Sequence, residues 1–121
     1  MAVLGWITGL LLIAMMAMTG VMKLIGHEMV KENMARLGVS DGLTKFIGAA
    51  EVAAAIGVLI GLLGNGDNEW IGFLAALGVI ALMVGALVYH NRAGDEPQES
   101  APAAMAIALA MLYTIFAIFG S

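Results

Sequence analysis

Residues 70–90 read WIGFLAALGVIALMVGALVYH, 21 positions without an Asp, Glu, Lys or Arg. Wound as a helix at about 1.5 Å per residue, such a run is roughly 32 Å long, the thickness of a bilayer's hydrocarbon core. The run is apolar throughout and does not alternate, so it is not a strand of a membrane barrel. Three further stretches of the same kind flank it, at 3–24, 43–63 and 102–119, each between 18 and 22 residues long. Hydrophobic residues make up 62% of the chain and charged residues 12%, against roughly 45–50% and about 25% in soluble domains. A chain of 121 residues has too little interior to hide that much apolar surface from water. Disorder is excluded on the same ground.

These observations predict an all-α membrane protein: a single domain over 1–121, built as a four-transmembrane-helix antiparallel bundle. The helices are expected at about 3–24, 43–63, 70–90 and 102–119. The first stretch lacks a basic leader and is longer than the apolar core of a signal peptide, so it reads as a retained helix. Residues 64–69 form a tight polar turn that makes the second and third helices antiparallel neighbours. Residues 27–37 place Val30, Met34 and Leu37 at helical spacing, which predicts a short amphipathic interfacial helix between helices 1 and 2. Residues 93–100 are acidic, carry Pro97 and read as a mobile loop.

Four spans put both termini on one face, here called face A, with residues 25–42 and 91–101 on face B. All five basic residues (Lys23, Lys31, Arg36, Lys45, Arg92) lie in or beside face B, and face A carries only Asp67 and Glu69. The positive-inside rule then makes face B cytoplasmic and the termini extracytoplasmic; the expected location is an inner (plasma) membrane of a bacterial cell. Trp6 and Trp70 fall at face A, where interfacial indoles are expected. The net charge of −4 and the scattered basic residues exclude a nucleic-acid partner. With no cysteine in the chain, disulfides, thiol chemistry and thiolate metal sites are excluded too.

Lipid-embedded helices associate through close packing of small residues. Gly5/Gly9, Gly57/Gly61 and Gly72/Ala76 have the spacing for it and read as internal packing in preference to a dimerisation face. The methionines of helix 1 read as gap-fillers.

Glu51 is the residue that asks for a reason. It lies eight residues into its span, about 12 Å deep, where an isolated charge costs roughly 2.5–3.5 kcal/mol. It must face the bundle interior, paired or protonated. Side chains on a helix lean toward its N-terminus, so Lys23 and His90 lean into the membrane from face B while Glu51 leans toward them. Thr19 shares the Lys23 face and Thr8 continues that stripe. Tyr89 and Tyr113 offer hydroxyls, and His27 follows Lys23 by one turn. The polar-core candidates are therefore Glu51, Lys23, His90, Thr19 and Tyr89. Two readings stay open: a structural Lys23–Glu51 ion pair with His90 as a third hydrogen-bond partner, or a polar pocket opening toward face B. No metal site is expected, because two histidines and a carboxylate at unlinked positions are no ligand signature. Nor is a catalytic residue, because no nucleophile–base pair is discernible.

The same residues carry a likeness. Gly20–Leu24 closing the first helix, Glu51 within residues 48–57, and residues 82–90 running into 91–95 resemble the DoxX-like membrane proteins over nearly the whole chain. The resemblance implies a small four-helix membrane protein. Its namesake resembles a membrane subunit of a thiosulfate:quinone oxidoreductase. Other members are linked to oxidative-stress complexes with a superoxide dismutase and a sulfurtransferase, and distant eukaryotic relatives look like cargo receptors or assembly chaperones. This chain departs from any catalytic version, having no cysteine, no dinucleotide fingerprint and no histidine pair at haem spacing. The expectation is a non-catalytic anchor or assembly subunit of a larger, quinone-linked membrane complex. The alternative is a binding protein or carrier for a small amphipathic ligand at Glu51. No cofactor is expected beyond a quinone or a lipid. The expected partners are the lipid bilayer and a second copy or another membrane protein.

Overall fold

The structure, a computed structural model, describes residues 2–64, 68–95 and 97–119. Five α-helices follow one another: α1 (Ala2–Ile25), α2 (Glu28–Arg36), α3 (Asp41–Leu63), α4 (Glu69–Arg92) and α5 (Pro97–Tyr113). The chain continues from α5 as a π-helical segment, Thr114–Phe119. Four stretches are long and apolar enough to cross a membrane: Val3–Ile25, Asp41–Leu63, Glu69–Arg92 and Ser100–Ile118. The expected four-helix membrane bundle is what forms. Asn65, Gly66 and Asp67, in the turn expected at 64–69, lie outside the described residues.

Local chemistry sets the helix ends. Ser40 accepts a hydrogen bond from Leu43 N–H through its side chain, and Asp41 follows in the first turn, so α3 starts two residues earlier than its apolar run. Met29 N–H donates to His27 Nδ1 at the start of α2, which puts this exposed histidine at a helix cap and away from Lys23. In the stretch 93–100, expected to be a mobile loop, Glu96 lies outside the described residues and Ala93, Gly94 and Asp95 form the turn that ends α4. The stretch is helical from Pro97, because proline at the first helical position forfeits no intrahelical bond. At the C-terminus of α2, Gly38 takes φ +82°. Gly38 N–H donates to Ala35 O at 3.0 Å and Val39 N–H to Met34 O at 2.8 Å, the paired bonds of a Schellman turn.

The four spans pack in a ring, α1 on α3, α3 on α4, α4 on α5 and α5 back on α1. Leu12, Met16, Val58, Val79, Ala106 and Ala110 fill the middle. Toward face A the helices close tightly. A Cβ on Gly5 would lie 2.9 Å from Ala117 Cα, and one on Gly61 would lie 2.8 Å from Gly72 Cα. A Cβ on Gly57 would meet the Ala75 methyl at 2.8 Å. These glycines are consumed by contacts inside the bundle. Tyr113, 1% exposed, lodges its hydroxyl in the same region, where Gly61 and Gly72 lack side chains. It is therefore spent on packing far from Glu51.

α2 is built differently. Its amphipathic pattern is present, but none of its residues is buried. Val30, Met34 and Leu37 are half-buried on its apolar side. It lies across the face-B end of the bundle.

Candidate functional site: a cavity in the face-B half

α1 and α3 approach one another closely at Gly20 and Gly48. A Cβ on Gly20 would lie 2.8 Å from Gly48 O, and one on Gly48 would lie 2.7 Å from Gly20 O. Lys23 follows Gly20 by three residues and Glu51 follows Gly48 by three, so each sits on the contact face one turn on. The helices run antiparallel, and each side chain leans back toward its own N-terminus, so the two converge at the crossing.

Lys23 Nζ donates to Glu51 Oε1 at 2.6 Å, and the Thr19 hydroxyl donates to Oε2 at 2.9 Å. Glu51 is 1% exposed. Both carboxylate oxygens are thus satisfied from α1, as a buried carboxylate demands. Thr19 Oγ1 is also 2.9 Å from Met15 O one turn back, a second acceptor for its single hydrogen.

His90 is not the third partner of Glu51. Its Nδ1 lies 2.5 Å from Asp95 Oδ2. The cause is the end of α4. Gly94 takes φ +74° and Asp95 N–H donates back to His90 O at 3.0 Å, closing a second Schellman turn. That turn folds Asp95 over the last helical residues and delivers its carboxylate to the imidazole. Arg36 of α2 pairs with the other oxygen of the same carboxylate. An ionised carboxylate only accepts, so His90 Nδ1 carries the hydrogen. The hydrogen bond from His90, then that from Arg36, holds the Asp95 carboxyl below its ordinary value of 3.8. Asp95 belongs to the loop after the third span and was not among the sequence candidates. The signal that could have found it is the Gly-Asp pair immediately after a helix end.

Between these two clusters the bundle opens. Toward face A, α3 meets α4 at Gly57, Gly61 and Gly72, and α1 meets the segment after α5 at Gly5 and Ala117; in the face-B half the α1–α3 pair and the α4–α5 pair face each other across a gap. They leave a cavity of about 380 Å³ under α2, within the roughly 300–1,000 Å³ typical of ligand pockets. Thr19, Lys23 and Glu51 line one wall and Tyr89 and His90 the other. The remaining lining is apolar, with Met15, Met16, Met34 and Met83 prominent in it. All five sequence candidates therefore border one space, although Glu51 and His90 hold different partners. Thr8 does not reach it. This buried residue donates to Leu4 O at 2.8 Å, within its own helix. Among the described residues no group of three or more His, Asp or Glu side chains is placed to hold a metal ion.

Nothing among the curated proteins and the solved structures matches the chain. The model of the DoxX-like family matches residues 7–113, a stretch that includes the glycine crossing, the Lys23–Glu51 pair, the His90–Asp95 turn and all of α5. Four apolar helices and that match together make the chain an integral membrane protein of the DoxX-like family.

Proposed function

We propose that this protein binds a small amphipathic molecule, a quinone or a lipid, in the face-B half of the bundle. The observation that carries the reading is the cavity itself, about 380 Å³ in volume and apolar over most of its lining, with a fully paired carboxylate at one wall. Polar groups at membrane depth are costly, and a bundle that only needed packing could fill this space with Leu or Ile. On the positive-inside reading the cavity lies on the cytoplasmic side of a bacterial inner membrane.

A second reading, an anchor or assembly subunit of a larger membrane complex, rests on the outer surface. Ala101, Ala104 and Ala108 of α5 are exposed at three- and four-residue spacing, a shallow strip of the kind partner helices pack against.

Native mass spectrometry of the protein, extracted from its own membrane in mild detergent, separates the two. The ligand reading expects a discrete added mass of lipid or quinone size that Ala86→Phe, which fills the cavity, removes. A second protein chain without such a mass supports the subunit reading. A bare chain or bare oligomer counts against both.

A further inference from the structure

The side chains around the cavity restrict what kind of head group it can hold. Lys23 carries three N–H donors, and Glu51 Oε1 takes one of them at 2.6 Å. Among the described residues no other hydrogen bond engages Nζ, and none engages the Tyr89 hydroxyl across the cavity. Both residues line the space. The wall thus offers hydrogen-bond donors without a spare charge, because a Lys–Glu pair is neutral in sum whichever partner holds the proton.

A charged head would break that balance. An anionic head would share the single Lys23 charge with Glu51, setting two anions, one of them a carboxylate that is 1% exposed, against one cation. A cationic head would compete with Lys23 for the same carboxylate. Either way one buried charge lacks a counter-charge, which is among the costliest changes a buried pair can suffer. At the other wall, the Asp95 carboxylate is already shared between His90 and Arg36. A neutral head with an acceptor oxygen meets none of these penalties. It can take a spare Lys23 N–H while the Lys23–Glu51 bond persists.

We infer that the cavity is selective for neutral amphiphiles whose head presents a carbonyl oxygen to Lys23, and rejects fatty acids and fatty amines of the same length. The four lining methionines supply an adaptable apolar bed for the body of such a molecule. The carbonyl can belong to an ester or to a quinone ring, since both present the same acceptor. This inference rests on the ligand-binding reading above and deepens it.

The test uses the full chain in lipid nanodiscs and four probes with a common ten-carbon tail: methyl decanoate, a decyl-substituted benzoquinone, decanoate and decylamine. Binding is read as mass adducts across a titration. The two neutral carbonyl probes are expected to bind about tenfold or more tightly than the acid and the amine. Lys23→Met with Glu51→Leu, which removes the donor and keeps the charge balance, is expected to cost the carbonyl probes about tenfold. Lys23→Arg, which keeps both charge and donors, should preserve the order of the four. The better of the two carbonyl probes identifies the source as ester or ring. If decanoate or decylamine binds as tightly as the ester, and Ala86→Phe abolishes it, the head-group inference falls while the cavity remains a ligand site. If no probe binds, or if Ala86→Phe leaves binding unchanged, the ligand-binding reading itself falls.

Discussion

Gly20 on α1 and Gly48 on α3 face one another so closely that a Cβ on either would stand within 2.8 Å of the other's carbonyl oxygen. Backbone atoms cannot swing aside as a long side chain can. Gly48→Ala is therefore expected to push α1 and α3 apart and to destabilise the protein by about 1–3 kcal/mol, despite alanine's better helix propensity. Gly78→Ala is the control, since nothing lies within 4 Å of its Cβ position. It should be neutral or slightly stabilising. Thermal unfolding of both variants in one detergent checks the contrast, and equal losses would remove the crossing from the account of the site.

Breaking the Lys23–Glu51 pair on one side leaves a charge in a low-dielectric interior. Glu51→Gln should cost about 3–5 kcal/mol. Lys23→Met combined with Glu51→Leu should recover most of that loss, because no charge is then stranded. Thr19 is not orphaned in the double variant, since Met15 O at 2.9 Å takes its hydrogen. A double-mutant cycle read by denaturant unfolding decides it. A double variant no more stable than the worse single one would show that the two residues do not act as a pair.

At Gly72, an added Cβ would clash with Tyr113 Oη and lie 3.2 Å from Cζ. The ring is 1% exposed and has nowhere to move. Gly72→Ala should cost about 1–3 kcal/mol by overpacking. Adding Tyr113→Phe removes the nearer clash and should restore part of the stability. No rescue would mean that the backbone of α3 at Gly61, and not the phenol, limits this position.

α2 has no buried residue, and glycines at φ +70° (Gly26) and +82° (Gly38) flank it. Its Arg36–Asp95 pair ties it across to the end of α4. Since the chain has no cysteine, a single Ala103→Cys reports on access to the cavity. Arg36→Gln should raise the rate at which a small maleimide labels that thiol. An unchanged rate would mean that α2 is held by its apolar side alone.

The same contact has a pH dependence of definite sign. The Asp95 carboxyl is held below 3.8 in the folded protein, first by the His90 hydrogen bond and then by Arg36. Its contribution is therefore complete at and above neutral pH, and it is lost only as pH falls through the lowered value. Labelling of Ala103→Cys by an acid-tolerant thiol reagent should stay flat from pH 8 to about 5 and rise below about 4. Asp95→Asn should label fast at every pH. A rise centred near pH 6–7 would point to a histidine instead.

Much of the architecture can be read from local sequence, because span length, hydropathy and helix caps are properties of neighbouring residues. The four apolar runs, the amphipathic pattern of 28–36 and the inward lean of Lys23 and Glu51 all belong to this class. The lean follows from helix direction alone, which is why two residues 28 positions apart could be expected to meet. The start of α5 is not legible in this way, because Pro97 in an acidic stretch resembles a loop when its neighbours are not known to be helical.

His90 marks where that reading stopped. Its place at the end of a span put it near Glu51, but its partner depends on a backbone turn at Gly94 that folds Asp95 back, and on α2 lying close enough to add Arg36. The cavity is likewise a tertiary property. Glycines distributed over 5–72 carry no label saying which helix each will face; most of the close approaches they permit fall in the face-A half. Four membrane-spanning runs with one acid buried among them are legible from the residues alone, because the cost of exposing apolar or charged groups is a local quantity. That α1 and α3 close at Gly20 and Gly48 while a cavity opens between Glu51 and α4 is settled in three dimensions, because the spacing of two helices depends on side chains that both contribute.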